Sequence, residues 1–267
     1  MKNVDLPTPR TGIVLGSGLG GFVDALEDKI CFEYGDIPHF PRSSAPGHAG
    51  VLWRGTVHGT PVVVMQGRHH YYEGCTPAEC VYGVRSMISL GAKNIILTNA
   101  AGTIDPEVKP GDLRIIADHI NLTGQSPLRG TNDPDLGERF VPMNGAYNPE
   151  LGLYAMNLWR DLGSSVREGV QLYEGGVYAL MPGPEYETLA EIKRLKISGA
   201  NLVGMSTVFE TIAARHMEAR VLGISCVTNY AAGVNDSVPN EQEVIETAKK
   251  SSGAFIALMQ GLAGTIR

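Results

Sequence analysis

Short runs of consecutive apolar, often β-branched residues alternate with segments of helical period, and this alternation constrains the fold more than any other feature of the chain. Thr11 to Leu15 (TGIVL), Lys93 to Asn99 (KNIILTN), Asp112 to Ala117, Gly176 to Met181, Asn201 to Gly204 and Val221 to Asn229 (VLGISCVTN) read as strands. Their unbroken apolar character belongs to strands covered on both faces. Val51 to His58 and Pro61 to Gln66 read as a further pair turning at Gly59-Thr60. Between these runs, Leu19 to Leu26, Pro77 to Leu90 (capped by Gly91), Asn148 to Leu162, Glu187 to Ile197 and Thr207 to Ala219 read as helices. Val244, Ile245, Ala248, Phe255, Met259 and Leu262 mark one face of a final helix. The pattern predicts an α/β fold with a largely parallel sheet. At 267 residues the chain is expected to form one domain over 1–267.

The charge balance narrows the partners. The formal net charge is −6 and no long basic run occurs, which argues against a nucleic-acid partner. Small anions remain open, because a few local donors bind them against the overall field. Met1 to Arg10 lacks the apolar core of a signal peptide, and no apolar run approaches the ~18 residues of a membrane span. A soluble cytoplasmic protein is expected. Cys31, Cys75, Cys80 and Cys226 form no C-x-x-C pair, so free thiols in a reducing compartment are expected, with Cys226 in the core. His69 and His70 are adjacent rather than at ligand spacing, and no metal is expected. The stretch Asn121 to Pro149 is the least regular, and a loop of that length is commonly functional or interfacial.

Open α/β sheets bind ligands beyond the carboxyl ends of their strands. Six predicted strand ends here carry glycine or polar side chains: Gly16-Ser17-Gly18-Leu19-Gly20, Arg68 to Glu73, Asn99 to Gly102, Pro182 to Glu187, Met205-Ser206, and Asn229. Together they suggest one composite site. The Gly16 to Gly20 loop can point backbone N–H groups at an anion, or be no more than a strand-to-helix turn. Gly16, Gly18 and Gly21 also satisfy the dinucleotide pattern G-x-G-x-x-G, with Glu33 or Asp36 downstream, so a nicotinamide dehydrogenase is a rival reading. Arg68 offers a planar fork for phosphate oxygens, and His70 lies two residues on. Ser206 and Thr207 start a helix with Glu210 in capping-box register, a purely structural device unless Ser206 also meets an anion. Glu187 opens a helix after a Pro-Gly-Pro turn, where the helix dipole alone would favour it. Asn229 ends an apolar strand, and its amide donates and accepts at once, as recognition of a heterocyclic base requires. Tyr72, Phe140 and Tyr186 are aromatic candidates for a ring or sugar face.

These segments resemble one known family. GSGLG (Gly16 to Gly20), PGHAG (Pro46 to Gly50), GRHHYYEG (Gly67 to Gly74), TNAAG (Thr98 to Gly102), GDLRIIADHIN (Gly111 to Asn121), PLRGTND (Pro127 to Asp133), GPEYET (Gly183 to Thr188), GMSTVFE (Gly204 to Glu210) and the VTN ending at Asn229 are similar to trimeric purine nucleoside phosphorylases, in the same order and over most of the chain. The resemblance implies a mixed sheet with a smaller barrel-like sheet, flanked by helices. It implies phosphorolysis of 6-oxopurine nucleosides such as inosine and guanosine, a homotrimer, and phosphate as co-substrate with no cofactor. It implies phosphate contacts from Ser17, His48, Arg68, His70, the Ala100 backbone and Ser206. Tyr72 and Met205 would face the ribose, and Phe140 would reach a neighbouring subunit's ribose. Glu187 and Asn229 would hold the purine, in a pocket of Ala101, Gly102, Tyr186 and Gly204; the catalytic set is His70, Glu187 and Asn229.

The sequence departs from the family pattern twice. Many relatives carry a histidine against the 5′-hydroxyl just before the last helix, where Asn240 or Glu241 stands here. Phe209 occupies a position where many relatives have proline. Asn229, without an acidic pair in Asn229-Tyr230-Ala231, counts against a methylthioadenosine or adenosine type. A catalytically dead nucleoside-binding protein is the remaining rival, and the retained Arg68, His70, Glu187 and Asn229 argue against it.

Overall fold

The computed structural model describes residues 7–41, 48–167 and 169–266. The first six residues, and Pro46 and Gly47 of the PGHAG segment, lie outside the described residues. The strands are β1 (Thr11–Leu15), β2 (Glu27–Glu33), β3 (Val51–Val57), β4 (Thr60–Gln66), β5 (Asn94–Thr103), β6 (Leu113–Asn121), β7 (Leu172–Leu180), β8 (Leu202–Gly204) and β9 (Arg220–Tyr230). The α-helices are α1 (Pro77–Ser89), α2 (Pro149–Asp161), α3 (Ser164–Arg167), α4 (Leu189–Ile197), α5 (Val208–His216), α6 (Glu241–Lys250) and α7 (Ser252–Thr265).

The strands run in the order β2-β3-β4-β1-β5-β8-β7-β6-β9, and β9 returns to pair with β5. The last five strands therefore close into a barrel, and β5 belongs both to it and to the open sheet. In the open sheet β1 is parallel to β4 and β5, while β2 and β3 are antiparallel at the edge. In the barrel β5 is parallel to β9 and antiparallel to β8, and β6 is parallel to β7 and antiparallel to β9. The α/β fold with a mixed sheet and a smaller barrel matches the expectation.

The period of two along each central strand explains why the apolar runs are continuous. Ile13, Leu15, Val62, Val64 and Ile96 pack on one face with Leu151, Ala155 and Trp159 of α2 and Phe255, Leu258 and Met259 of α7. Val14, Val63, Met65, Ile95 and Leu97 pack on the other with Val81, Val84 and Met87 of α1 and Ile212 and Ala213 of α5. Each strand serves two cores, so neither face is left to polar residues. The two cores are laid down by helices on opposite sides of one sheet.

Several boundaries correct the sequence reading. Leu19 to Leu26 forms a 3₁₀ helix over Gly20–Ala25 rather than an α-helix. The final helix is two, α6 and α7, divided at Ser251, whose hydroxyl lies 2.8 Å from the Gly111 carbonyl. Glu187 does not open α4: Thr188 is the N-cap and Glu187 precedes it. Strand β2 has no counterpart in the sequence reading, because its residues are nearly all exposed and four of the seven are charged, as on a protected sheet edge.

Candidate functional site

The carboxyl ends of β1, β4 and β5 lie side by side, because these strands are parallel neighbours. The chain leaves β1 through Gly16, where a Cβ would stand 2.7 Å from the Asn99 Cα, so the two strand ends touch backbone to backbone. Gly18 follows at φ +76°, and a Cβ there would meet the Ala248 methyl of α6 at 2.4 Å. This loop does not serve a dinucleotide. It leads into a six-residue 3₁₀ helix, and Glu33 and Asp36 lie at the end of β2 and just beyond it, with β3 and β4 between β2 and β1. The acidic residue of a dinucleotide site is needed close to the glycine turn.

The Gly16 loop and the ends of β4 and β5 enclose a cavity of about 110 Å³ that Ser17, Arg68, His70, Tyr72, Asn99, Ala100, Met205 and Ser206 line. Arg68 is 1% exposed. Its Nη1 donates to Ser206 Oγ at 3.1 Å, and its Nε forms an ion pair with Glu210 Oε1 at 3.2 Å. His70 lies between the rings of His48 (centroids 5.0 Å apart) and Tyr72 (4.6 Å). Its Nδ1 is 2.8 Å from Glu73 Oε1, which leaves Nε2 as the free edge of the ring. His48 bridges Ser17 and Arg68: Nε2 is 3.3 Å from Ser17 Oγ, and Nδ1 is 3.1 Å from the Arg68 N–H. Burial, and then His70, push the His48 pKa down to about 4, so the ring is neutral near pH 7. Nδ1 also lies 3.0 Å from the Arg68 carbonyl: protonated on Nδ1, His48 donates there and Nε2 accepts from the Ser17 hydroxyl, whereas protonated on Nε2 it accepts from the Arg68 N–H and donates to Ser17.

A second cavity of about 120 Å³ adjoins the first, sharing Ala100 and Met205, and is lined further by Ala101, Gly102, Tyr186, Glu187, Gly204 and Asn229. The pairing of β5 with β9 shifts register here: Ala101 pairs with Val227 but Gly102 with Asn229. Thr228 is the extra residue of this bulge, and Thr228 and Asn229 both line the cavity. Asn229 is 4% exposed, and its amide is held at both ends. Thr228 Oγ1 donates to Oδ1 at 3.0 Å, and Nδ2 donates to the Tyr230 carbonyl at 2.8 Å. That arrangement sets the amide's orientation and leaves its second N–H for a ligand. Burial raises the pKa of Glu187, with Glu191 and Glu185 adding to the rise against its own backbone hydrogen bond.

The strand ends mark this place in the sequence, but the supporting residues were harder to read. Thr228 and Val244 line the second cavity without any polar signal in Val244 to single it out. Asn99 donates to Thr207 Oγ1 at 2.9 Å behind the first cavity. Phe209 packs edge-on against Tyr71, ring centroids 5.9 Å apart, which accounts for an aromatic residue at the start of α5. Of the expected residues, His48 and Phe140 line neither cavity; His48 stands behind Ser17 and Arg68 of the first, whereas Phe140 is remote from both. It is 85% exposed and borders a larger hollow of about 770 Å³ between the Asn132 to Phe140 loop and His216 to Glu218. The smaller pair of cavities is the better candidate, because buried cationic, amide and carboxyl groups converge there. Among the described residues, no three His, Cys, Asp or Glu side chains are grouped to hold a metal ion.

Known proteins resemble this chain over nearly its whole length. A profile of the phosphorylase superfamily matches residues 10–263. Purine nucleoside phosphorylase 1 of Geobacillus stearothermophilus is 47% identical over 255 residues, covering 96% of this chain and 90% of that protein. The mouse (Mus musculus) purine nucleoside phosphorylase is 41% identical over 249 residues, covering 91% and 84%. The chain belongs to the purine nucleoside phosphorylase family. The Schistosoma mansoni member solved in complex with inosine superposes with a TM-score of 0.89 at 36% identity, covering 97% of this chain and 91% of that one. A purine nucleoside phosphorylase is a pentosyl-transferring enzyme. No helix among the described residues is long and apolar enough to cross a membrane.

Proposed function

We propose that this enzyme cleaves 6-oxopurine nucleosides, inosine and guanosine among them, with inorganic phosphate bound in the Arg68 cavity and the base in the Asn229 cavity. The carrying observation is that the two cavities meet at Ala100 and Met205. Such a junction lets the ribose span them, with phosphate on one side and purine on the other. Arg68, Ser206, the start of α5, Ser17 and the free edge of His70 supply donors for phosphate. As the glycosidic bond stretches, C1′ becomes cation-like, and a phosphate oxygen forms the new bond to it. The purine departs with the bonding electrons. The free N–H of Asn229 stabilises that developing charge, and Glu187 accepts from the base N1–H. The rate enhancement is positional and electrostatic, with no covalent enzyme intermediate. The reading includes a single domain, a cytoplasmic homotrimer in which Phe140 completes a neighbour's site, and no cofactor besides the phosphate substrate. Support for Phe140 comes from its full exposure on the isolated chain.

The test is incubation of the protein with inosine, with and without phosphate, followed by chromatography. Phosphate-dependent release of hypoxanthine and ribose 1-phosphate is expected. Cleavage to free ribose without phosphate would overturn the assignment of the Arg68 cavity.

A further inference from the structure

The chain contains three T-x-x-E capping boxes: Thr76-Pro77-Ala78-Glu79 at α1, Thr188-Leu189-Ala190-Glu191 at α4, and Thr207-Val208-Phe209-Glu210 at α5. The first two are alike. Their cap threonines are extended, at φ −66° and −75°, and neither glutamate is buried: Glu79 is exposed and Glu191 partly so. In each, one carboxylate oxygen accepts both the cap N–H and the cap hydroxyl. They do what a capping box does and nothing more.

The third box keeps the bond from the cap N–H to the glutamate but departs from them otherwise. Glu210 is 3% exposed and Thr207 1%. Thr207 stands at φ +71°, in the region a β-branched residue avoids, although an ordinary cap conformation serves the other two boxes. Its hydroxyl is not given to the glutamate; it accepts from Asn99 Nδ2 at 2.9 Å and lies 3.1 Å from Ser206 Oγ. The glutamate is divided. Oε2 accepts the Thr207 N–H at 2.9 Å, and Oε1 forms the ion pair with Arg68 Nε at 3.2 Å. One carboxylate thus ties the end of β4, where Arg68 emerges, to the N-cap of α5, and places Ser206 Oγ against Arg68 Nη1.

We infer that Glu210 is a positioning residue for phosphate: it holds the Arg68 guanidinium by its Nε edge and the α5 start by the Thr207 N–H, so that Arg68 and Ser206 present one fixed donor set to the co-substrate. A guanidinium buried this deeply needs a counter-charge, and Glu210 supplies it from the side away from the cavity. The strained Thr207 backbone is kept because the bonds around it over-determine it. The inference rests on the reading that phosphate binds at Arg68.

The experiment compares Glu210→Gln with Glu79→Gln, measuring KM for phosphate, KM for inosine, kcat and melting temperature. Glu210→Gln keeps an acceptor for the Thr207 N–H but removes the negative charge that faces Arg68. A rise of about tenfold or more in the phosphate KM is expected, with the inosine KM within about threefold of the parent. Glu79→Gln leaves both constants unchanged. If Glu210→Gln does not fold, Glu210→Asp serves. It keeps the charge beside Arg68 but is too short to span both partners, and the same selective rise in phosphate KM is expected. A phosphate KM equal to the parent's in either folded variant, with only the melting temperature lowered, would show that Glu210 is a cap like the other two. A parent protein that turns over inosine without saturable dependence on phosphate would instead overturn the placement of phosphate itself.

Discussion

Replacing Asn229 by Asp tests the base cavity at its most constrained point. The amide now donates to the Tyr230 carbonyl over 2.8 Å and accepts from Thr228 Oγ1 at 3.0 Å. Aspartate keeps the Thr228 contact, so the side chain stays in place. Its second oxygen then faces the Tyr230 carbonyl with no hydrogen between them, a mismatch worth about 1–3 kcal/mol at a buried position. The departing purine also loses its amide donor, a hydrogen bond to a developing charge worth about 1.5–3 kcal/mol. For inosine this amounts to a fall of about 10- to 150-fold in kcat/KM. Adenosine offers a 6-amino donor in place of a 6-oxo acceptor, and the carboxylate can accept from it, so adenosine offsets part of that loss. The ratio of adenosine to inosine kcat/KM, measured at saturating phosphate, is expected to rise by about tenfold or more. The reasoning is refuted if both substrates lose the same factor and the ratio stays where it was.

Two further outcomes follow from the same geometry. In Gly102→Ala the new Cβ would lie 3.1 Å from Asn229 Nδ2 and 3.4 Å from Val203 Cγ1. The amide must shift, so the inosine KM is expected to rise several-fold while the phosphate KM holds, and an unchanged inosine KM would place the base elsewhere. Burial holds His48 at about 4 against an ordinary 6.5, and desolvation lowers the buried His69 and His216 and the half-buried His119 too. Between those two pH values the unfolded chain binds protons that the folded chain refuses, so stability falls as pH drops from 6.5 towards 4. His48→Asn removes one share of that dependence. Melting curves across this window that decline equally in both proteins would contradict the neutral His48.

The open sheet and the strand-end polar groups were legible because buried parallel strands must be apolar on both faces, so any polar residue at their ends stands out. Ser17, Arg68, His70 and Asn229 were found that way. The barrel was not legible from pattern alone. Its strand β8 has only three residues, and the outer halves of β5 and β6 carry Asn99, Asp118 and His119, which break the apolar run. The edge strand β2 was missed because exposed charged residues leave no period to detect. The break at Ser251 was hidden because both flanking helices continue the same apolar stripe. Glu210 was visible as a cap, but its second partner lies 142 residues away in sequence, at Arg68, and only the fold brings the two together.

The placement of the site follows from the double membership of β5. Its first half, Asn94 to Leu97, pairs with β1 in the open sheet, and its last two residues pair with β8 in the barrel. The cationic cavity lies beside the open-sheet strands and the amide-and-acid cavity beside the barrel strands, with Ala100 between them on β5. A displacement at C1′ needs the attacking anion and the departing base kept apart on either side of one sugar, each with its own charge environment. A strand that passes from one sheet into another provides two such environments a few residues apart on one rigid element. The bulge at Thr228 is then more than an irregularity, because it turns Asn229 into the cavity beside Glu187. Deleting the extra residue would restore regular pairing between β5 and β9 and flip the amide to the opposite face of β9. Purine recognition would be lost on that argument while Arg68 and its phosphate contacts stayed in place.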